Sequence, residues 1–316
     1  MSRMLDRRTT MKLGAAAGLG VIPAGAEPAT GGMTPTEPHG PNLLLLRTKS
    51  PGPRMMPAHF EWPSDSGAEG IAPPQDPEYH DVTSIGVTYL TDRQRLQQFL
   101  PDPFRVGETP LLSVVYSMNR QIDWLAGGAY NIVGVYAPAV FHGARDHVSG
   151  AYCLVLWENL TDPILTGREI AGIPKIYGDI EDHTVINGIW RTSASHRGHT
   201  ILDVTASELN ALDTPSCRTL EDDIGRQPMM GWKYIPNETN TGAAISYATV
   251  FPYAIQVRQA WSAKGQIQWY GSSWAKNPTQ SHIINALKSL PVLETQSTLV
   301  WKGSLTLYAS QARKLQ

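Results

Sequence analysis

The chain has 316 residues, 41% of them hydrophobic and 17% charged, with a formal net charge of −2. That composition fits a globular protein with a sizeable core, and the near-neutral charge excludes a basic surface built for nucleic acid or an acidic membrane. No internal stretch approaches the ~20 apolar residues of a membrane helix, and the two cysteines, Cys153 and Cys217, lack metal-ligand spacing. Residues 1–26 read as an export signal. Arg3, Arg7 and Arg8 make a basic start, Met11 to Ile22 is a short apolar run, and Ala24-Gly25-Ala26 has the small-x-small pattern of a cleavage site. Arg7-Arg8 is similar to a twin-arginine signal, with Thr10 where a large apolar residue is usual. The expectation is export to the periplasm or beyond; an ordinary secretory signal and a frayed cytoplasmic N-terminus are the alternatives. Residues 27–78, rich in Pro, Gly and Thr with one apolar patch at Leu43 to Leu46, read as an extended arm or linker. Residues 79–316 read as the folded domain.

From Asp81 onward the signals are mostly β. Ser84 to Tyr89 is a strand, and Thr91-Asp92 caps a short helix that runs to Phe99 and stops at Pro101. Leu111 to Met118, Tyr130 to Ala137 and Ala151 to Trp157 are apolar runs that read as buried strands, which places Cys153 in the core. A disulfide between Cys153 and Cys217 stays open. Thr161-Asp162-Pro163 reads as a turn. Strands follow at Ile176 to Ile180, Ile189 to Ala194 and Thr200 to Ala206, with turns at Gly188 and Arg197-Gly198. Phe251 to Val257 is a strand with an edge proline, Gln266 to Tyr270 another, Ile283 to Leu290 a helix stopped by Pro291, and Ser297 to Tyr308 the last strand or strand pair. Many short strands, few helices and no β-α alternation predict a mainly β (α+β) fold: strongly curved antiparallel sheets with accessory helices.

The chemistry centres on Gly167 to Tyr177, where Lys175 stands among Ile173, Pro174, Ile176 and Tyr177. Either its tip is solvated after a turn at Pro174, or it is buried, in which case desolvation favours the neutral amine, a nucleophile toward ketones. Gly167-Arg168-Glu169-Ile170 followed by Pro174-Lys175 resembles the active-site signature of the acetoacetate decarboxylase family. The resemblance extends through Tyr89-Leu90-Thr91-Asp92, Phe99 to Pro103, Trp124 to Gly127, Tyr130-Asn131 and Phe141-His142-Gly143, and downstream through Trp232 to Asn237, Ala260-Trp261 and Leu287 to Leu293. It runs from about Met56 to near the C-terminus. It implies a cone-like β-barrel, a Schiff base on Lys175, a small keto acid or ketone as substrate, no metal or organic cofactor, and assembly into a homo-oligomer.

The resemblance also implies differences. In the family's decarboxylases a second lysine often follows the first, where this chain has Ile176; Lys233 or Arg168 would have to supply a neighbouring cation. An arginine and glutamates are expected where this chain has Val82, Val115 and Ile132. The pocket candidates are Tyr116, Trp124, Tyr130, Ile132, Glu158 and Lys233. The aromatic ones are as well explained by core packing, and Glu158 either acts as a general acid or sits on a solvated rim. Arg168, Glu169 and Pro174 are read as supports of the lysine loop, the first two as an ion pair. His142, His147, His183, His196 and His199 form no helical metal pattern. Three functions compete: decarboxylation of a 3-oxo acid through a lysine iminium, aldol addition and dehydration of a 2-oxo acid with an aldehyde through the same iminium, and non-catalytic binding of an apolar ligand. Both catalytic readings require the amine to be dry and uncharged; an amine in solvent, or held against a carboxylate, would leave only the third.

Overall fold

A computed structural model describes residues 75–316; the expected export signal and nearly all of the arm lie outside these described residues. In chain order the elements are β1 (Glu78–Leu90), α1 (Arg93–Gln97), β2 (Phe104–Val106), β3 (Leu111–Ile122), β4 (Gly128–His142), β5 (His147–Glu158), α2 (Thr161–Thr166), a π-helical turn (Gly167–Ala171), β6 (Lys175–Tyr177), β7 (Asp179–Ile180), β8 (Thr184–Ile186), β9 (Ile189–His196) and β10 (His199–Ala211). Then come α3 (Thr214–Gly225), β11 (Met229–Pro236), β12 (Ala243–Phe251), β13 (Tyr253–Trp269), α4 (Ser281–Lys288), β14 (Glu294–Leu307) and β15 (Arg313–Lys314). Among the described residues no helix is long and apolar enough to cross a membrane.

The strands form one sheet in the order β15-β12-β11-β5-β4-β3-β1-β14-β13-β10-β9-β7, with β2 on β4, β6 on β5 and β8 on β9. The mainly β expectation holds, but two of its details do not. The sheet is mixed, because β5 pairs in parallel with both β6 and β11. It is also not a closed barrel: no ladder joins the two ends of the strand order among the described residues. The sheet bends instead. Residues of β5 and of β13, five strands apart in the order, line one cavity, and that space is covered partly by α3, whose Leu220 and Ile224 face it. The chain passes from β12 to β13 through Pro252, which lacks the N–H needed to carry a ladder onward.

The central strands are covered on both faces, one by the apolar core and the other, more polar, by the cavity. On β1, β3 and β5 one set of alternating side chains enters the main core, among them Ile85, Val87, Tyr89, Val114, Tyr116, Val155 and Trp157. The other set, Ser84, Gly86, Thr88, Val115, Ser117, Asn119, Leu156 and Glu158, faces the cavity. Leu96 of α1 is fully buried, and the Asp92 carboxylate caps the helix by accepting from Arg95 N at 2.8 Å. Thr161-Asp162-Pro163 is not a turn but the first turn of α2, where proline is tolerated because its absent N–H would have no partner. Cys153 is buried in the core and Cys217 lies half-buried on α3; both are free thiols.

Candidate active site

The lysine is positioned by backbone chemistry before its side chain is considered. The π-helical turn ends at Gly172, which adopts φ +69°, a left-handed conformation that glycine takes without steric cost. Lys175 N then donates to Ile173 O at 2.8 Å, closing a three-residue turn about Pro174, whose fixed φ suits that geometry. Ile173 N donates to Gly167 O at 3.0 Å and Leu156 N to Pro174 O at 3.1 Å, so the turn is tied to β5. Arg168 completes the frame by donating from Nη1 to Lys175 O at 3.0 Å. The support expected of Arg168 is thus a hydrogen bond to the lysine's own carbonyl, and Glu169 lies in the same π-helical turn.

Parallel pairing sets Lys175 opposite Leu156 and Tyr177 opposite Glu158. Trp157 and Ile176 therefore point into the main core, while Leu156, Glu158 and Lys175 point into the cavity. The lysine is 8% exposed and Glu158 1% exposed. Lys175 Nζ stands 2.9 Å from Glu158 Oε1 and donates to Pro163 O at 3.0 Å. Its methylenes run over the bare backbone of Gly167: a Cβ there would fall 2.4 Å from both Cδ and Cε.

Two expectations need correcting. Glu158 is not on a solvated rim. It is the last residue of β5, and its end of the strand is clamped from behind, where Asn159 Oδ1 accepts from Asn131 N at 2.8 Å and Gly178 N donates to Glu158 O at 3.0 Å. The amine is dry as expected, but it is held against a carboxylate. The carboxyl is the deeper of the two groups. Burial pushes Glu158 above the usual carboxylate range, against the pull of the Lys175 charge, and its Oε2 has no hydrogen-bond partner. The 2.9 Å contact between Nζ and Oε1 is a hydrogen-bond distance across which the two groups share a proton.

The cavity has a volume of about 840 Å³, and Lys175 and Glu158 are the only charged residues in its lining among the described residues. Trp124, Tyr130 and Ile132 line it as expected. Tyr116 does not: its side chain lies in the main core, and its hydroxyl accepts from His183 N at 3.0 Å. Lys233 is also outside the lining; it packs against Gly172, where a Cβ would come within 2.6 Å of Lys233 Cβ. Val82, Val115 and Ile132, the positions where charged groups are expected from the resemblance, all face the cavity as apolar residues. Ile132 is directly opposite Glu158 in the β4–β5 register, so an acid is present one strand away from where it is expected. Tyr79, which sequence reasoning missed, hydrogen-bonds Tyr130 at 2.9 Å, hydroxyl to hydroxyl, and accepts from Trp124 Nε1 at 3.1 Å. Burial raises the Tyr79 phenol to about 12 and holds Tyr130 well above the ordinary value, so both are neutral hydroxyls at the cavity wall. The cavity wall contributed by α3 was missed as well.

Residues 56–313 match the family model described as acetoacetate decarboxylase. The acetoacetate decarboxylase of Clostridium botulinum strain Eklund 17B is 25% identical over 239 residues, 72% of this chain and 85% of that protein. That of Burkholderia cenocepacia strain J2315 is 26% identical over 227 residues, 70% of this chain and 81% of that protein. Among solved structures, an acetoacetate decarboxylase superposes with a TM-score of 0.64 at 22% identity, covering 77% of this chain and 90% of that one. The enduracididine biosynthesis enzyme MppR complexed with pyruvate superposes with a TM-score of 0.61 at 15% identity, covering 83% and 96%. The structural likenesses show a shared fold.

Proposed function

Because the chain belongs to the acetoacetate decarboxylase family, we propose that it is a carbon–carbon lyase acting through an imine on Lys175, and that it decarboxylates a 3-oxo acid. The observation that carries the reading is the buried pair of Lys175 and Glu158 at 2.9 Å in a cavity with no other charged residue in its described lining. With the proton on Glu158, the amine adds to the ketone and gives a carbinolamine. Glu158 then donates its proton to the departing hydroxyl, water leaves and an iminium forms. The bond to the carboxylate breaks, its electron pair flows into the iminium, and CO2 and a neutral enamine result. A proton from water restores the iminium at the former α-carbon. Glu158, now a base, takes a proton from the hydrolytic water, and the ketone is released with amine and carboxylic acid regenerated. Over the cycle one proton is consumed for each CO2.

Apolar surroundings favour the bond-breaking step. The iminium and the carboxylate are both poorly solvated there, and their collapse to two neutral products removes that cost. A second reading uses the same iminium for aldol addition and dehydration. In that reaction no carboxylate need leave, and the fold is shared with MppR, a protein solved in complex with pyruvate. The test is borohydride reduction after incubation with acetoacetate or with pyruvate, followed by mass analysis. A reduced adduct on Lys175 that is absent from Lys175→Arg supports imine chemistry; an adduct that persists in that variant, or none with either substrate, leaves ligand binding as the function. Measuring CO2 release against enal formation separates the two lyase readings.

A further inference from the structure

We infer that the substrate is an oxo compound carrying an extended aliphatic chain, and that the chain lies along β1 over Gly86. The inference takes its orientation from the imine reading of Lys175. It begins from a mismatch of size: the cavity, at about 840 Å³, is in the upper part of the range of ~300–1,000 Å³ that encloses drug-sized ligands, and acetoacetate would leave most of it unfilled.

The register shows where the extra space runs. Glu158 is opposite Ile132, Ile132 opposite Ser117, and Ser117 opposite Ser84, which defines the reacting row across four strands. One step along β1, Gly86 is opposite Val115 on one side and Leu299 on the other. A further step brings Thr88 opposite Ser113 and Ser297, and all of these residues line the cavity. At ~3.3 Å per residue, the far row is about 13 Å from the reacting row. Both charges sit at the near end. At the far end the Thr88 and Ser113 hydroxyls are joined by a hydrogen bond of 2.8 Å, and Ser297 completes the row.

Gly86 keeps the passage open. It has no positive φ, so it is not needed for backbone reasons, and a Cβ added there would meet only Val115 Cγ2, at an ordinary 3.7 Å. A side chain would fit the backbone; what it would occupy is the cavity. The middle row is thus apolar and wide, the shape that takes methylenes rather than hydrogen-bonding groups.

The test separates chain recognition from chemistry. Unbranched methyl ketones of increasing length, the class of product the proposed reaction would release, are titrated into full-length Lys175→Met, which cannot form an imine. Binding is followed by fluorescence of Trp124 and Trp301, which line the cavity, and by calorimetry. Affinity is expected to rise about fourfold for each added methylene until the far row is reached, and Gly86→Phe, checked for folding by circular dichroism, is expected to flatten that series. An affinity that does not depend on length overturns the inference, and so does a series whose slope is unchanged in folded Gly86→Phe. Borohydride trapping of the wild type is run in parallel. A missing adduct there overturns the imine reading alone, and equal trapping of acetoacetate and its longer homologues counts against the chain inference alone.

Discussion

The Lys175–Glu158 pair makes opposite demands on one proton, and that gives the site a pH signature. Burial raises Glu158 in the folded state, so the stability it contributes is complete below the ordinary glutamate value of about 4.3 and is lost as pH rises through the raised value. Under the proposed mechanism, activity that draws on the carboxylic acid for dehydration is expected to decline over the same window. Glu158→Gln is expected to slow single-turnover imine formation by roughly 100-fold, the lower end of general acid–base contributions, and to abolish that high-pH limb; an unchanged limb assigns the acid elsewhere. Gly167 offers a second residue-scale test. Its φ of −66° suits any residue, and a new Cβ would press on the flexible Lys175 methylenes, not on backbone. Gly167→Ala is therefore expected to keep its melting temperature while Nζ shifts. A displacement on the order of 1 Å costs as much as ~100-fold in rate, read as slower trapping on an intact fold.

Among the elements, β6 holds the lysine with only three residues, so its attachments matter. Gln280, at the start of α4, accepts from Trp157 Nε1 at 2.8 Å and donates to Tyr177 O at 2.8 Å, joining β5 and β6 from the core side. Gln280→Ala strands a buried indole N–H and is expected to cost about 1–3 kcal/mol, measured by urea unfolding. The elements most legible in the sequence were those whose apolar runs decide their own state: β1, β3, β4, β5 and β14 all begin or end within a few residues of expectation or extend beyond it. Lys175 stands out in the sequence through the resemblance of Gly167-Arg168-Glu169-Ile170 and Pro174-Lys175 to the family signature, because its neighbours alone leave a solvated tip open. The α3 helix is not evident in the sequence, although Asp213 caps it by accepting from Ser216 N at 2.9 Å; its periodic signal is weak because Leu220 is its one buried residue. Glu158 could not be placed from sequence, because a carboxylate at a strand end reads as solvated unless the partner across the ladder is known. Of the two readings open for Tyr116, core packing is the one found, a single step of alternation from the cavity-facing Val115 and Ser117.

Over the whole molecule, several buried phenols set a limit in alkali. Burial raises Tyr79, Tyr89, Tyr116 and Tyr253 from 10.0 to about 12. The folded state therefore keeps these protons where the unfolded chain releases them. The stability they contribute is complete below pH 10 and is lost as pH rises through 12. Titration of tyrosinate absorbance is expected to show the exposed phenols ionising first and the buried group appearing together with loss of the fold; early ionisation of all of them would contradict the burial described. A different constraint follows from the neighbours of β1. The first long strand lies in mid-sheet between β3 and β14, the latter drawn from the last two dozen residues of the chain. A ribosome thus delivers one half of the central seam long before the other, and the domain cannot finish folding until β14 has been made. Any fragment released early would expose an unpaired β1 edge to aggregation and proteolysis.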